Sequence, residues 1–470
     1  MFFHSVTSLF IFLPFIFFSY PTIKKINKNF STLYLLIFSL IFYSFDVPWF
    51  VIPLLISAIS DYLISKELIK NRISSQYSRI LLLVLSLIIN IGLLIIFKYK
   101  DLIPHILQFE NLNYKKTQQI LLPAGISFYT FQTLSFTIDS FKKKIKKIPN
   151  FFDYLLFVSY FPQLVAGPIL RTSDFFKNNL EPKLKNNNHD FINGFNRICL
   201  GLFLKLCLAD ELANFNDLAF DYNFKDLSFL DTWTMAFGFG LQIYFDFSAY
   251  SHMAIGVSKI IGLNIKENFT FPYSSISSTE FWRRWHISLS SWVADYLYKF
   301  LNKNLPIYFY GSIPLLFTWG IMGLWHGSSG RFFIWGLLNG FFIIIHRIVK
   351  DIDFKFLKIF TKNKLISWLI TTISLMSSWI YFRSTSWEQA NYLYKNLFRI
   401  NKLDLGLKEN YYLIVLIFSI MTFSFGLIYK SETFNLVKDN FFLKTIFSIM
   451  TLTLALIFIN RQNTFIYFQF

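Results

Sequence analysis

Two histidines in apolar surroundings are the residues of this sequence best suited to chemistry. His326 lies within Gly323-Leu-Trp-His-Gly327, and His286 lies within the fourteen-residue stretch Thr279–Trp292, which also contains three tryptophans and two adjacent arginines. Ionisable side chains are costly in or near a bilayer, so they indicate function there. Because an imidazole exchanges protons near neutral pH, either histidine could serve as a general base or as a proton shuttle.

The local sequence leaves a second interpretation open for each histidine. An intramembrane histidine such as His326 can be a hydrogen-bonded contact between helices, although Gly327 beside it would let a substrate approach closely. Arg283 and Arg284, next to His286, can lie in an interfacial belt that binds lipid headgroups. Alternatively, these two arginines can bind the phosphates of a carrier such as coenzyme A.

A third ionisable group is Asp246, in the apolar stretch Tyr244–Met253. On a helix, Asp246 and Tyr250 would share a face, as would Ser248 and His252. A structural role, with the carboxylate held by neighbouring donors, fits this pattern as well as catalysis does.

Several other kinds of site lack their sequence signatures. The chain has no Walker-type phosphate loop, no His-Glu-x-x-His and no Gly-x-Ser-x-Gly, which argues against ATP-driven transport and serine-hydrolase chemistry. Its two cysteines, Cys199 and Cys207, fall in one apolar segment. We therefore expect buried helix residues there, with no disulfide framework and no metal site.

The composition places these residues in an integral membrane protein. Of the 470 residues, 54% are hydrophobic and only 15% are charged, whereas about a quarter of a soluble domain is charged. Apolar runs of membrane-spanning length recur from end to end, and two of them, Ile313–Trp325 and Phe332–Ile345, are expected to form a close pair around His326. We predict a single all-α, polytopic membrane domain over residues 1–470, with roughly eleven or twelve membrane helices. Where proline and glycine interrupt apolar runs, at Leu122–Gln132 and Phe161–Pro168, we expect backbone that lines a cavity or packs inside protein, and Phe151–Ile169 is a candidate re-entrant segment.

The positive charges indicate how the chain is oriented. Dense basic clusters, at Lys24–Lys28, Lys66–Arg79 and Lys142–Lys147, follow the first, third and fifth apolar runs. The positive-inside rule puts these loops in the cytoplasm and the N-terminus outside, in the cytoplasmic membrane of the cell. Because the net charge of +18 is concentrated in such loops, we attribute it to anionic lipid and expect no nucleic-acid partner.

Taken in order, the motifs resemble those of the membrane-bound O-acyltransferases. The motifs that carry the resemblance are LPAGISFYTFQ, FPQLVAGPI, YFDFSAYS, FWRRWHISLSSW and GLWHG, and they look most like the alginate O-acetyltransferase branch. The resemblance implies a helical fold around a transmembrane tunnel, with an acyl donor reached from the cytoplasm and an acceptor outside. It also implies that His326 is the near-essential catalytic histidine and His286 its partner. Because His286 lies between two cytoplasm-directed ends and His326 closes a helix that should run outward, we expect both to face one tunnel from opposite sides.

The resemblance leads us to expect O-acetylation of an extracytoplasmic polysaccharide, with acetyl-CoA as the donor substrate and no bound cofactor. His326 would act as general base on the hydroxyl being acylated or on a relay group, and His286 would hydrogen-bond the reacting groups or shuttle the proton. The residues expected to shape the donor entrance are Trp282, Arg283, Arg284 and Asn268. A separate extracytoplasmic acetyltransferase is a candidate partner, which would receive the acetyl group before the polysaccharide does.

The chain departs from the family pattern at several positions. His252 stands where the family usually has aspartate, and Ala249 stands where it has glycine. Lys299–Lys303 replaces a Gly-Gly-Asn-Arg-like loop, and Asn339-Gly340 replaces a His-Gly pair that often follows the catalytic histidine. These changes leave the catalytic motifs intact and bear on how substrate and partner are bound.

Other functions remain open at this point. Within the family, the alternatives are D-alanyl transfer to teichoic acid and acylation of a lipid. From other classes, the alternatives are a proton-coupled transporter, in which Asp246 and the histidines relay protons, and a non-catalytic scaffold. A transporter would move its substrate without covalent change, whereas an acyltransferase leaves an ester product.

The predicted orientation can be tested by cysteine labelling in a background that lacks Cys199 and Cys207. A cysteine introduced as Ser75→Cys should resist an impermeant maleimide applied to intact cells, because the basic cluster around it is expected in the cytoplasm. Val47→Cys, after the second apolar run, should be labelled and serves as the control. Labelling of Ser75→Cys in intact cells would overturn the assignment.

Overall fold

A computed structural model describes residues 1, 3–70, 75–99, 121–176, 188–305, 311–351, 363–400, 404–428, 441–459 and 465–466. The regular structure in these residues is helical, which confirms the all-α class. The mixed polar segment after the fourth apolar run, at 101–116, lies outside the described residues, as does part of the basic cluster after the third run, at 71–74.

The helices of the first half of the chain are α1 (Leu13–Ile26), α2 (Lys28–Ser44), α3 (Val51–Ile69), α4 (Gln76–Lys98), α5 (Ile126–Phe141), α6 (Phe151–Ser159), α7 (Phe161–Leu164), α8 (Thr172–Phe175), α9 (Asn188–Phe203) and α10 (Asp210–Asp221). Those of the second half are α11 (Phe229–Ile261), α12 (Ser278–Arg284), α13 (Ile287–Val293), α14 (Lys299–Asn304), α15 (Ser312–His326), α16 (Gly330–Asp351), α17 (Lys364–Arg383), α18 (Trp387–Asn396), α19 (Glu409–Ile428) and α20 (Phe441–Ile457). Turns of π-helix occur at Ser8–Phe12, Leu204–Ala209 and Ala294–Tyr298.

Five helices among the described residues are long and apolar enough to cross a membrane, and three shorter apolar helices accompany them. The five are Ser8–Ile26, Pro48–Ile69, Gln76–Lys98, Gly330–Asp351 and Lys364–Arg383. Large apolar side chains lie exposed along them, which is where lipid contact would be favourable. The polytopic class is thus confirmed, while the expected total of eleven or twelve membrane helices stays a prediction.

The chain divides into two compact units. The first contains Met1–Ile198 and Tyr250–Lys266, and the second contains Cys199–Ala249 and Glu267–Phe470. His286 and His326 both belong to the second unit. The assignment of residues 1–470 to one membrane domain stays a prediction.

A buried polar network joins three helices of the first unit. The Asp61 carboxylate of α3 accepts hydrogen bonds from Ser86 Oγ at 2.6 Å and from Asn90 Nδ2 at 2.9 Å, both on α4. The Asn90 amide oxygen accepts in turn from Ser57 Oγ at 2.6 Å and from Thr133 Oγ1 at 3.1 Å. Because unpaired polar groups are costly at membrane depth, this pairing lets the three helices pack around a polar core.

Arg79 was expected in a cytoplasmic loop as part of a basic cluster, but the structure buries it against two helices. It is buried, and its guanidinium donates to the carbonyl oxygens of Leu68 and Phe141, each at 2.9 Å. These carbonyls lie at the C-terminal ends of α3 and α5, where backbone acceptors lack partners within the helix. Arg79 therefore caps the C-terminal ends of two helices, and the orientation argument for this cluster rests on its other basic residues.

The two interrupted apolar segments of the first unit pack against each other. Gly125, with φ of +73°, precedes α5, and a Cβ added there would lie 2.2 Å from the Leu164 carbonyl oxygen. Gln132 Nε2 donates to Gln163 Oε1 at 3.0 Å. The expectation of protein-buried backbone is confirmed here, because both segments are covered by their neighbours.

In the second unit, α15 and α16 form a tightly packed pair that leads to His326. A Cβ added at Gly323 would lie 2.1 Å from the Phe332 carbonyl oxygen, and one at Gly336 would lie 2.1 Å from that of Trp319. Glycine at both positions lets the two backbones approach closely, as at other interfaces of membrane helices. The close pair of apolar segments expected around His326 is therefore confirmed.

This contact generates a stability prediction. Gly323→Ala should destabilise the purified protein by about 1–3 kcal/mol, because the new methyl group meets backbone that cannot move aside cheaply. Gly92→Ala in α4 is the matched control, since nothing lies within 4 Å of its Cβ position, and it should be neutral or stabilising by up to about 1 kcal/mol. Thermal unfolding in detergent measures both variants, and equal shifts of Tm would contradict the packing described.

Candidate active site

His286 occupies a strained turn between two short helices. Helix α12 ends at Arg284, and α13 begins at Ile287; between them His286 has φ of 43° and ψ of 55°. This left-handed conformation is uncommon for a residue other than glycine and persists only where neighbouring contacts impose it. Two backbone hydrogen bonds do so here, from Ile287 N to Asn268 O at 2.8 Å and from Thr270 N to Arg284 O at 3.0 Å.

Asn268 holds the His286 imidazole by its Nδ1 atom. The Asn268 side-chain oxygen accepts from the Ser288 backbone N–H at 3.1 Å and from Ser288 Oγ at 2.9 Å, and it lies 3.2 Å from His286 Nδ1. An oxygen that already accepts from a backbone N–H requires a donor on the histidine too, so Nδ1 carries the proton. The lone pair of the ring is then on Nε2, the nitrogen that can accept a proton.

The surroundings of His286 keep it uncharged. Its side chain is 1% exposed, and the Phe247 ring lies edge-on to it, with centroids 4.6 Å apart. His286 lies outside the five candidate membrane spans, and burial lowers its pKa to about 3. Since desolvation penalises the imidazolium form, His286 is neutral throughout the physiological pH range.

His326 is the last residue of α15 and is enclosed by aromatic rings. It is 5% exposed, and its ring centroid lies 4.6 Å from that of Trp325, 5.0 Å from Trp335 and 5.1 Å from Phe382. The expectation that Gly327 gives a substrate room is wrong. A Cβ at Gly327 would lie 2.2 Å from the Phe332 ring, so the glycine makes room for that phenyl group.

Both histidines line one cavity of about 360 Å³ in the second unit. The rest of the wall described here is mostly aromatic and aliphatic, with a few polar groups; its main members are Trp282, Arg283, Trp285, Ser290, Ser291, Tyr298, Thr318, Trp319, Met322, Trp335, Arg347, Trp379 and Phe382. The two histidines thus border one common space, as expected, while their access to it from opposite sides of a membrane stays a prediction. A pocket with apolar walls and a few polar groups is typical of a small-molecule site.

The structure separates the four residues expected at the donor entrance. Trp282 and Arg283 line the cavity. Arg284 lies outside the described lining and instead pairs with Glu280 at 2.6 Å. Asn268 is outside the described lining and contacts His286 through Nδ1 of the imidazole. The expectation of adjacent arginines acting together is thus altered, because successive residues of a helix point in different directions.

Arg347 lines the cavity and is absent from the residues expected from the sequence. It follows His346 in a run of basic residues that reads as a cytoplasmic loop. The structure continues α16 through this run to Asp351, so Arg347 lies on a helix beside the cavity. Arg347 follows Ile343, another lining residue, by four positions, and this helical spacing is the signal that could have placed both on one side of α16.

Three lining hydroxyl groups donate to backbone carbonyls. Ser290 Oγ donates to Trp285 O at 3.1 Å, Ser291 Oγ to Ser288 O at 3.1 Å, and Thr318 Oγ1 to Pro314 O at 2.7 Å. A nucleophilic serine instead needs its hydroxyl hydrogen-bonded to a base. The arrangement favours the imidazoles as the groups that handle protons in this cavity.

The remaining residues singled out from the sequence lie elsewhere. Asp246 lies outside the described cavity lining and pairs with Lys205 at 3.0 Å. His252 contacts Arg197 in the first unit, with Nδ1 3.1 Å from Nη2. Among the residues that the structure describes, none of the His, Cys, Asp and Glu side chains gather in groups of three that could hold a metal ion.

The low pKa of His286 predicts an acid-dependent loss of stability. Folded His286 takes up a proton near pH 3 but unfolded histidine does so near 6.5, so the unfolded state binds more protons between these values. The contribution of His286 to the free energy of unfolding should therefore be fully present above about pH 6.5. Below that pH the free energy of unfolding should fall by up to about 1.4 kcal/mol per pH unit.

The control for this prediction is His286→Gln, which cannot gain that proton. Tm in detergent, measured from pH 7.5 to 5.0, should fall more steeply for the native protein than for the variant. Parallel curves would show that His286 titrates alike in the folded and unfolded states.

Comparison with known proteins agrees with the geometry of the site. The model of the membrane-bound O-acyltransferase family, MBOAT, matches residues 6–373, which include both histidines. The chain is 34% identical over 443 residues to a peptidoglycan O-acetyltransferase of Helicobacter pylori, covering 86% of this chain and 81% of that protein. It is 33% identical over 415 residues to the Pseudomonas aeruginosa protein named "Probable alginate O-acetylase AlgI", covering 85% and 75%.

A more distant match is to a teichoic acid D-alanyltransferase of Bacillus subtilis, 28% identical over 229 residues and covering 46% of this chain and 56% of that protein. The family match extends over most of the chain and includes both histidines and most of the residues that line their cavity. The protein belongs to the membrane-bound O-acyltransferase family and is a multi-pass membrane O-acyltransferase.

Proposed function

We propose that the protein transfers acetyl groups from acetyl-CoA to hydroxyl groups of an extracytoplasmic polysaccharide. The observation that carries the proposal is that His286 and His326 line one cavity within a member of this family. The H. pylori and P. aeruginosa relatives, matched over 81% and 75% of their own lengths, are named for acetyl transfer to peptidoglycan and to alginate, both of which are glycans.

His326 would act as the general base. A neutral imidazole accepts the proton of the acceptor hydroxyl while the oxygen attacks the thioester carbonyl. The resulting tetrahedral intermediate collapses to the ester, and the thiolate of coenzyme A leaves and takes up a proton. Apolar rings around His326 exclude water, which would otherwise compete with the acceptor for the acetyl group.

His286 suits a different role in the same reaction. With a pKa of about 3, it is too weak a base to remove a proton efficiently near neutral pH, where the best catalytic bases have pKa values near the working pH. Its orientation is nevertheless tightly held through Asn268. We therefore assign it to hydrogen bonding with the reacting groups, where a neutral and well-placed ring is sufficient.

The donor would be held at the cationic part of the cavity. Arg283 and Arg347 both line the wall, and guanidinium groups bind phosphate with paired hydrogen bonds. Trp282 contributes an aromatic surface to the same wall. Arg284 supports this region indirectly, because its ion pair with Glu280 lies within α12.

The wider setting of the reaction follows from the proposed orientation. The protein would lie in the cytoplasmic membrane with its N-terminus outside, taking the donor from the cytoplasm and delivering the acetyl group to the other side. A separate extracytoplasmic acetyltransferase remains the proposed partner where transfer to the glycan is indirect. D-alanyl transfer is the second candidate, and the B. subtilis match, which covers 46% of this chain, supports it less.

The direct test of the reaction is ester-linked acetate on the cell-surface glycans. His326→Ala should lower it by about 10²–10⁴-fold, the usual contribution of a general base. His286→Ala should lower it less, since that residue orients a group in the proposed reaction. Alkali-released acetate is measured on isolated peptidoglycan and on exopolysaccharide, in strains matched for protein abundance.

The packing of His326 calls for a second variant. Because aromatic rings surround His326, His326→Ala also creates a cavity in the packing. His326→Gln retains much of the side-chain volume but has no comparable base. Loss of acetate in both variants, with wild-type amounts of folded protein for His326→Gln, supports catalysis. Wild-type acetate in His326→Gln would remove His326 from the reaction.

A further inference from the structure

A buried ion cluster lies in the second unit, apart from the described cavity lining. Lys205, in the π-helical turn Leu204–Ala209, pairs with Asp210 at 2.8 Å and with Asp246 at 3.0 Å. All three side chains are 3% exposed. Charges are expensive to bury unless they are paired, so retention of three of them calls for a role.

The second oxygen of Asp246 holds a distant part of the chain. Asp246 Oδ2 accepts a hydrogen bond from the backbone N–H of Ile466 at 2.6 Å, while Lys205 pairs with Oδ1. Phe465 and Ile466 are buried, at 2% and 1% exposure. A charge-assisted hydrogen bond of this kind is about twice as strong as a neutral one. Asp246 therefore fixes residues 465–466 inside the second unit.

Those residues in turn support the ring that packs on His286. Phe465 lies against Phe247, with ring centroids 5.9 Å apart, and Phe247 lies edge-on to His286 at 4.6 Å. Phe247 itself is fully buried. Asp246 and Phe247 are neighbours on α11 and point in different directions, so residues 465–466 connect the carboxylate on one side to the aromatic ring on the other.

We propose that Asp246 is a positioning residue for His286, acting through residues 465–466 and Phe247. Asn268 holds the imidazole by its Nδ1 atom, and Phe247 restricts the tilt of its ring. Lys205 pairs with Asp246 and holds it in place. The inference rests on the proposed function in that it takes His286 as part of the reacting site.

The test removes the backbone N–H that Asp246 binds. Ile466→Pro lacks this donor, whereas Ile466→Val keeps it and is the matched control. With purified enzyme, radiolabelled acetyl-CoA and solubilised peptidoglycan strands, Ile466→Pro should lower kcat about tenfold or more, because misplaced catalytic groups are costly. KM for acetyl-CoA should change less than about twofold, since the donor contacts are untouched, and Ile466→Val should match the native enzyme.

A second readout does not depend on activity. Loosening Phe247 should let water reach His286. The acid-dependent loss of Tm that His286→Gln removes, here called the His286 component, should therefore shrink in the Ile466→Pro background. Phe175→Ala is the control for general destabilisation, because Phe175 is fully buried in the first unit; it should lower Tm and leave the His286 component intact. If Ile466→Pro does not accumulate, Phe465→Ala compared with Phe465→Leu answers the same question.

The outcomes separate the two claims. Unchanged kcat and an unchanged His286 component in Ile466→Pro would overturn the positioning role. The positioning role would also be overturned if kcat of Ile466→Pro fell only in proportion to the loss of folded protein, as is expected for Phe175→Ala. A native enzyme that transfers no acetate to peptidoglycan strands, but whose His286 component responds to Ile466→Pro, would contradict direct transfer to this acceptor and retain the positioning contact.

Discussion

The close approach of α15 and α16 is the constraint on which the candidate site depends. With glycine at 323 and 336, each backbone lies where a side chain of the other helix would otherwise be. This contact brings His326, at the end of one helix, to within 5.0 Å of Trp335 on the other, measured between ring centroids. It also brings Arg347 of α16 to the cavity that His286 lines. A small-residue interface therefore sets the distances on which the chemistry relies.

The protein handles its buried polar groups in two contrasting ways. In the first unit, the Asp61 carboxylate is surrounded by hydroxyl and amide donors, and the helices are joined by those hydrogen bonds. In the second unit, Asp246 is paired with Lys205 and with a backbone amide. Each arrangement satisfies groups that a membrane interior would penalise. His286 differs from both carboxylates, because burial keeps it neutral and so avoids the cost of a buried charge.

The sequence was most informative where a short motif and its local structure coincide. The helical class, the close helix pair around His326 and the common cavity of the two histidines could all be anticipated, because apolar periodicity and motif order report on them directly. The roles of Gly327 and Arg284 could not. Both depend on which neighbour, the Phe332 ring or the Glu280 carboxylate, reaches the residue in three dimensions. Asn268 was expected at the site but in another role, since its contact with His286 depends on a strained turn. Arg347 and Phe247 were not expected there, because their places depend on how residues distant in sequence come together.

The central claim is that one cavity holds the acetyl group of the donor between two histidines. It can be tested most directly by an experimental structure of the protein in lipid nanodiscs with a non-reactive acetyl-CoA analogue. The account predicts density for the acetyl group in the cavity, within hydrogen-bonding reach of His326 and facing His286, with the phosphates near Arg283 and Arg347. An analogue bound elsewhere, with the aromatic cavity closed to it, would contradict the account.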